Sequence, residues 1–252
     1  THRVTSGFSF FAALGLLVWT FVGTARGHLA RSAAVAIVIF TLIEAALGAL
    51  LVKLGLTAQS QSPLRAPYLA LHLTNTLLLL ASLTLTAHLL SRRHGYTKTS
   101  IRMVAPIGAL ACVLVVLMVG VTGSLAALGD TLFPATSLGA ALSADFSTTS
   151  GWLIRWRWTH PTFAFLASIF LVWLVVRASR RTTQWDNRGL SALVLVLLAA
   201  QYLLGVLDVV LLAPVWLQIV HLLGADLLWS ALVVLAARVA LEPMKQGAGS
   251  KE

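Results

Sequence analysis

Residues 155–173 read RWRWTHPTFAFLASIFLVW: a basic, aromatic entry, then a nearly unbroken apolar run with one histidine, His160, at its mouth. The chain opens the same way. THRVTSGFSFFAALGLLVW, residues 1–19, sets His2 at the head of a similar run. Roughly 20 apolar residues in helical form cross the hydrocarbon layer of a bilayer, so both stretches predict membrane-spanning helices. Two histidines with matching surroundings predict a duplicated site.

The rest of the chain has the same character. Of its 252 residues, 58% are hydrophobic and 10% charged, and its mean hydropathy is +0.90. A soluble domain carries far more polar surface. Seven segments are long and apolar enough to span: 4–24, 32–56, 66–90, 102–127, 152–177, 189–212 and 214–239. They show little of the period-2 alternation of a membrane β-barrel. The predicted fold is an all-α integral membrane bundle.

A net charge of +10 is one that a nucleic-acid binder could carry, but its placement points to topology. Most cations fall in alternate loops: Arg26 and Arg31; Arg92, Arg93, Lys98 and Arg102; Arg177, Arg180, Arg181 and Arg188; then Arg238, Lys245 and Lys251 in the tail. The positive-inside rule puts these loops and the C-terminus in the cytoplasm, as in a protein of the inner membrane surrounded by lipid, with no nucleic-acid partner. The single cysteine, Cys112, cannot form an intrachain disulfide and reads as a small packing residue. No CxxCH is present for covalent haem attachment.

The spans repeat. TH opens a helix at residues 1–2 and again at 159–160. The following helices carry EAALGALLVKLGL from Glu44 and QYLLGVLDVVLL from Gln201, each with a glycine four residues on, Gly48 and Gly205. The helices after those carry His72 in YLALHLTNTLLLL and His221 in WLQIVHLLGADLLW. Residues 1–91 and 159–241 therefore read as parallel copies. The expected organisation is a first repeat at 1–91, a connecting loop at 92–101, a second four-helix repeat at 102–241 and a tail at 242–252. The second copy is preceded by the helix 102–127 and a loop at 128–151, so symmetry predicts a further helix before Thr1, a parent of eight spans, and an incomplete enzyme in the residues given.

His2 and His160 start their helices, while His72 and His221 lie about 9 and 10 Å into theirs at 1.5 Å per residue. All four therefore fall in the outer leaflet, two per repeat. Helix bundles build cofactor sites from facing side chains, and imidazole is a usual axial ligand of haem iron, so a bis-histidine haem in each repeat fits depth and chemistry. His28 and His94, in basic loops, and His88, near an inner helix end, read as solvated or interfacial. Arg3, Arg155 and Arg157 depart from the charge bias and are candidates for haem propionates, with interfacial snorkelling as the other reading. Asn75, one turn beyond His72, is a candidate for orienting His72 or a propionate; helix packing fits it equally. Trp152, Trp156 and Trp158 read as an interfacial belt. Glu44, Asp208 and Asp226 are intramembrane acids, read as structural hydrogen bonding ahead of proton relay.

At these residues the chain resembles the haem A synthase family. THRVTSGFSF, EAALGALLVKLGL with LALHLTNTLLLL, VTGSLAALGDTLFP and WLQIVHLLGADLLW resemble its signature regions, in order, over nearly all of residues 1–241. The resemblance implies eight helices in two four-helix halves. It implies that His2 and His72 flank a site for haem O, the substrate, and that His160 and His221 ligate the iron of a haem b cofactor. The implied reaction oxidises a methyl group of haem O to a formyl group, giving haem A for terminal oxidases. The implied partner is the synthase that supplies haem O; the electron donor is left open, and a homo-oligomer is compatible with the pattern. The family's catalytic glutamate, three residues before its first histidine, would precede residue 1. The loop 128–151 lacks the cysteine pairs of many members, and Pro161 follows His160 where members often have Arg, leaving Arg155 or Arg157 to supply that charge. Two other readings follow from the residues: a dihaem electron carrier between quinol and an outer acceptor, and a haem-free transporter built from repeats.

Overall fold

The computed structural model describes residues 2–57, 60, 62–91, 101–103, 106–181 and 185–243. Its seven long helices are α1 (His2–Gly23), α2 (Leu29–Lys53), α3 (Arg65–Ser91), α4 (Pro106–Leu132), α7 (Thr159–Arg181), α8 (Trp185–Val210) and α9 (Val215–Ala240). Each is long and apolar enough to cross a membrane. Two short helices, α5 (Leu138–Phe146) and α6 (Trp152–Arg155), lie between α4 and α7. Many large apolar side chains point outward, among them Phe8, Phe11, Trp19 and Ile107. Such a surface suits lipid, which closes over apolar side chains at no hydrophobic cost.

Three boundaries differ from expectation. The span expected from 102 starts at Pro106, because Ile101–Met103 forms a strand (β1) paired antiparallel with Leu241–Pro243 (β2). Proline suits the first helical position, where its missing N–H is not needed, and it biases the residue before it towards extended backbone. The span expected at 152–177 is split, since the chain turns at 156–158 between α6 and α7. Thr159 closes that turn, its N–H and its hydroxyl both donating to the Trp156 carbonyl. The loop expected at 128–151 is largely helical. α4 runs on to Leu132, and Ser137 caps α5 by accepting from the Ala140 N–H at 3.2 Å.

α2 and α8 end in the same turn. After α2, Gly55 takes a left-handed φ of 66°, while the Leu56 N–H donates to Leu51 O and the Gly55 N–H to Val52 O. After α8, Leu212 and Ala213 take positive φ, with the Ala213 N–H on Asp208 O and the Leu212 N–H on Val209 O. Both are the six-to-one, five-to-two closure that satisfies the last carbonyls of a helix. Together they form one end of the bundle, the long-loop end, with the 133–151 segment; the β1–β2 ladder marks the other.

The helices pack as a closed set of four, α4–α7–α8–α9, with α1–α2–α3 laid against it through α3, which contacts α4 and α9. Cys112, Leu171, Val175, Val194 and Leu232, one or more from each of the four, are buried together. Cys112 is thus a packing residue. Across the seam, Trp229 of α9 is fully buried and its indole N–H donates to the Leu77 carbonyl of α3 at 2.8 Å.

His28 is buried, not solvated, because it caps α2: its Nδ1 accepts from the Ala30 N–H at 3.1 Å. His88 is also buried on α3, and His94 lies outside the described residues. Burial, and then the Arg31 charge, hold the His28 imidazole below its ordinary value. A protonated imidazole has no lone pair to accept with. The cap therefore contributes fully above the unfolded pKa of about 6.5 and is lost as pH falls through the lowered folded value. His28→Ala should cost about 1 kcal/mol at pH 8, and the gap to wild type should narrow as pH falls below about 6.5. Thermal unfolding in detergent across that range checks this, and a gap independent of pH would refute it.

Candidate functional site

His160 stands in the first turn of α7, aimed by the 156–158 turn, and His221 stands two turns into α9. Their ring centroids are 6.4 Å apart, with planes at 87°. Two imidazoles on opposite sides of one metal, each nitrogen about 2 Å from it, have centroids about 6 Å apart. Glycines make room for both rings. A Cβ at Gly123 of α4 would lie 3.0 Å from His160 Cε1, and one at Gly205 of α8 would lie 3.4 Å from His221 Cε1.

Thr122 decides how the His160 ring presents itself. Its hydroxyl donates to the Met118 and Val119 carbonyls, each at 3.0 Å, and its oxygen lies 3.4 Å from His160 Nδ1. With the one hydroxyl proton engaged by backbone, the oxygen is placed to accept from Nδ1, which favours the tautomer that leaves a lone pair on Nε2. Such outer partners fix the tautomer of a ligating histidine. On the opposite wall, with the Gln201 amide turned to satisfy its neighbours, Nε2 donates to His221 O and Oε1 accepts from the Ala225 N–H, both at 3.1 Å. This holds α8 to α9 beside His221.

The second histidine centre lies between α2 and α3. Glu44 accepts from Asn75 Nδ2 and from Thr76 Oγ1, each at 2.5 Å, and its Oε1 lies 3.3 Å from His72 Nδ1. Asn75 is buried and its second amide proton goes to the Phe40 carbonyl at 2.9 Å. Both its protons are therefore engaged by α2, leaving none for a propionate. Glu44 accordingly sits in a structural hydrogen-bond network, whereas Asp208 leaves its buried Oδ1 without a hydrogen bond among the described residues. The side chains of His2 and Arg3 lie outside the described residues; only their place at the start of α1 is given.

Arg157 is buried between two carboxylates. Its Nε donates to Asp145 Oδ1 and its Nη1 to Asp130 Oδ1, both at 2.8 Å, and Nη2 pairs with Asp145 Oδ1 at 2.7 Å. The guanidinium thus ties α4 and α5 to the turn that aims His160. Arg155 is exposed on the same turn, flanked by the exposed Trp152, Trp156 and Trp158. Sequence reading missed Thr122, Thr76 and the pairing of Arg157. The one linear signal for them was polarity inside apolar runs, which does not say what faces what. The described residues hold no group of three or more His, Cys, Asp or Glu for a bare metal ion; what they offer is the neighbouring imidazoles of His160 and His221.

Fold and centre together define a polytopic membrane helix bundle with facing intramembrane histidines. The chain belongs to the cytochrome oxidase assembly protein family, COX15-CtaA, which it matches over residues 1–233. This is the haem A synthase family. Two curated relatives, both named protoheme IX farnesyltransferase, come from two strains of Thermus thermophilus. Each is 36% identical over 241 residues, covering 94% of this chain and 39% of the relative. The chain thus spans about two fifths of the length of these relatives. No solved structure matches it.

Proposed function

We propose that the chain is a haem A synthase, oxidising a methyl group of haem O to the formyl group of haem A for terminal oxidases. The carrying observation is the His160–His221 pair, at a separation suited to one iron and framed by Gly123 and Gly205. In this reading residues 102–241 form the cofactor half and 1–91 the substrate half. His160 and His221 would hold a haem b, which when bound supplies one-electron transfer. Thr122 favours the His160 proton on Nδ1, and the Gln201 bridge fixes the helix that carries His221. Arg155, exposed at the mouth, is among the described residues the candidate cation for a propionate, since Arg157 is engaged by Asp130 and Asp145. His72 and His2 would flank the substrate, haem O. The charge bias of the loops supports a reading in which these centres lie towards the outer face of the inner membrane.

The relatives bear on supply. An enzyme that farnesylates protohaem makes haem O, and in chains carrying that name a segment like this one accounts for 39% of the length. A haem O synthase is therefore the natural donor, handing its product on within the membrane.

The test is co-expression of the full protein with a protohaem farnesyltransferase, followed by a pyridine-haemochrome spectrum of the purified product. Haem A alongside haem b supports the synthase. Two stable b haems without O- or A-type haem would make the chain an electron carrier instead, and no haem at all would overturn both.

A further inference from the structure

By sequence spacing Glu44, Asn75 and Thr76 stand where the other half has Gln201, Gly224 and Ala225. The two sets make different contacts. Glu44 reaches side chains on α3, with both its oxygens accepting, and its Oε1 stands at ion-pair distance, 3.3 Å, from His72 Nδ1, which makes no hydrogen bond to any described group. Gln201 reaches backbone on α9 instead, the His221 carbonyl and the Ala225 N–H. It can do so because Gly224 has no side chain, as a Cβ there would collide with the Gln201 amide. Among the described residues, neither His160 nor His221 has a carboxylate at ion-pair distance, and the group beside His160 Nδ1 is the Thr122 hydroxyl. The three positions therefore differ as a set: a carboxylate towards a histidine ring in one half, an amide towards backbone in the other.

We infer that Glu44 is a positioning residue that makes the two histidine centres electronically unequal: it orients His72 through Nδ1 and favours the oxidised iron of a haem held there. The inference rests on the proposed haem-binding reading. A carboxylate at Nδ1 fixes the tautomer, turns Nε2 to the metal and raises the basicity of the ligand. Axial-ligand electronics and outer hydrogen bonds are among the levers that set haem potential. A more basic ligand stabilises the ferric state, so the His72 centre has the lower potential of the two. Asn75 and Thr76 hold the carboxylate in place, the first also anchoring to Phe40 O.

The experiment loads the full chain in detergent with ferric protohaem and follows reduction by optical potentiometric titration. In wild type the component lost in His72→Ala titrates below the component lost in His160→Ala. Glu44→Gln keeps the shape but removes the charge. It should raise the His72 component by about tenfold in the reduced-to-oxidised ratio, which is about 59 mV for one electron, and leave the other in place. Glu44→Asp should retain most of the wild-type value. The triple change Glu44→Gln, Asn75→Gly and Thr76→Ala installs the set the other half already folds around, and should give the same upward shift. A His72 component that titrates unchanged in both Gln-bearing variants overturns the role of Glu44 and leaves the haem reading standing. A wild type with no His72-dependent component overturns the haem reading of that centre and the inference with it.

Discussion

Alanine at either His160 or His221 should abolish haem b in the purified protein, while His72→Ala leaves it. The two rings are 6.4 Å apart, so in the proposed cofactor half removing either takes away one of the two nitrogens that would hold the iron. Loss of an outer partner of a metal ligand already costs about 10–100-fold in affinity, and loss of the ligand itself should exceed that. Reduced-minus-oxidised spectra of detergent-purified variants read the effect directly. Free imidazole should restore part of the signal, because truncation leaves a gap of ring shape beside Gly123 or Gly205. Haem b retained at wild-type level in both variants would remove these residues from the site and overturn the proposed cofactor half.

The second large effect is expected at Arg157. Arg157→Met leaves Asp130 and Asp145 facing each other across the space the guanidinium filled, with side chains only 30% and 13% exposed. Removing one member of a buried ion-pair set typically costs about 3–5 kcal/mol, because the remaining charge is left uncompensated. Exposure of Asp130 favours the lower end of that range. Adding Asp130→Asn and Asp145→Asn to Arg157→Met should recover most of the loss, since replacing all partners removes the uncompensated charge. Thermal unfolding in detergent, by circular dichroism with and without haem, separates two roles. A structural staple lowers the melting temperature in both states. A propionate contact would lower it only with haem bound, and that outcome would overturn the pairing described above.

What sequence determined by itself is one-dimensional. The hydropathy of a segment sets whether it spans, so all seven long helices were legible to within a few residues. The spacing of His72, His160 and His221 from their helix starts set which helix end each is near, because the rise per residue of a helix is fixed. The exceptions are informative. The break at 156–158 was hidden because tryptophan and arginine suit a helix end and a membrane interface equally well. The β1–β2 ladder was hidden because it joins segments at opposite ends of the chain.

What the tertiary structure alone decided is which group faces which. Helix rotation and crossing come from packing among all neighbours, and hydropathy carries no record of them. Glu44 meets Asn75 and Thr76 from 31 and 32 residues away, and Arg157 meets Asp145 and Asp130 across 12 and 27. That is why Arg157, read as a propionate candidate or an interfacial cation, is instead buried between two carboxylates, and why, of the readings open for Asn75, it is helix packing that its bonds to Phe40 and Glu44 match. The same packing set a hydroxyl beside His160 and a carboxylate beside His72, a difference in neighbours that the matching histidine spacing does not show.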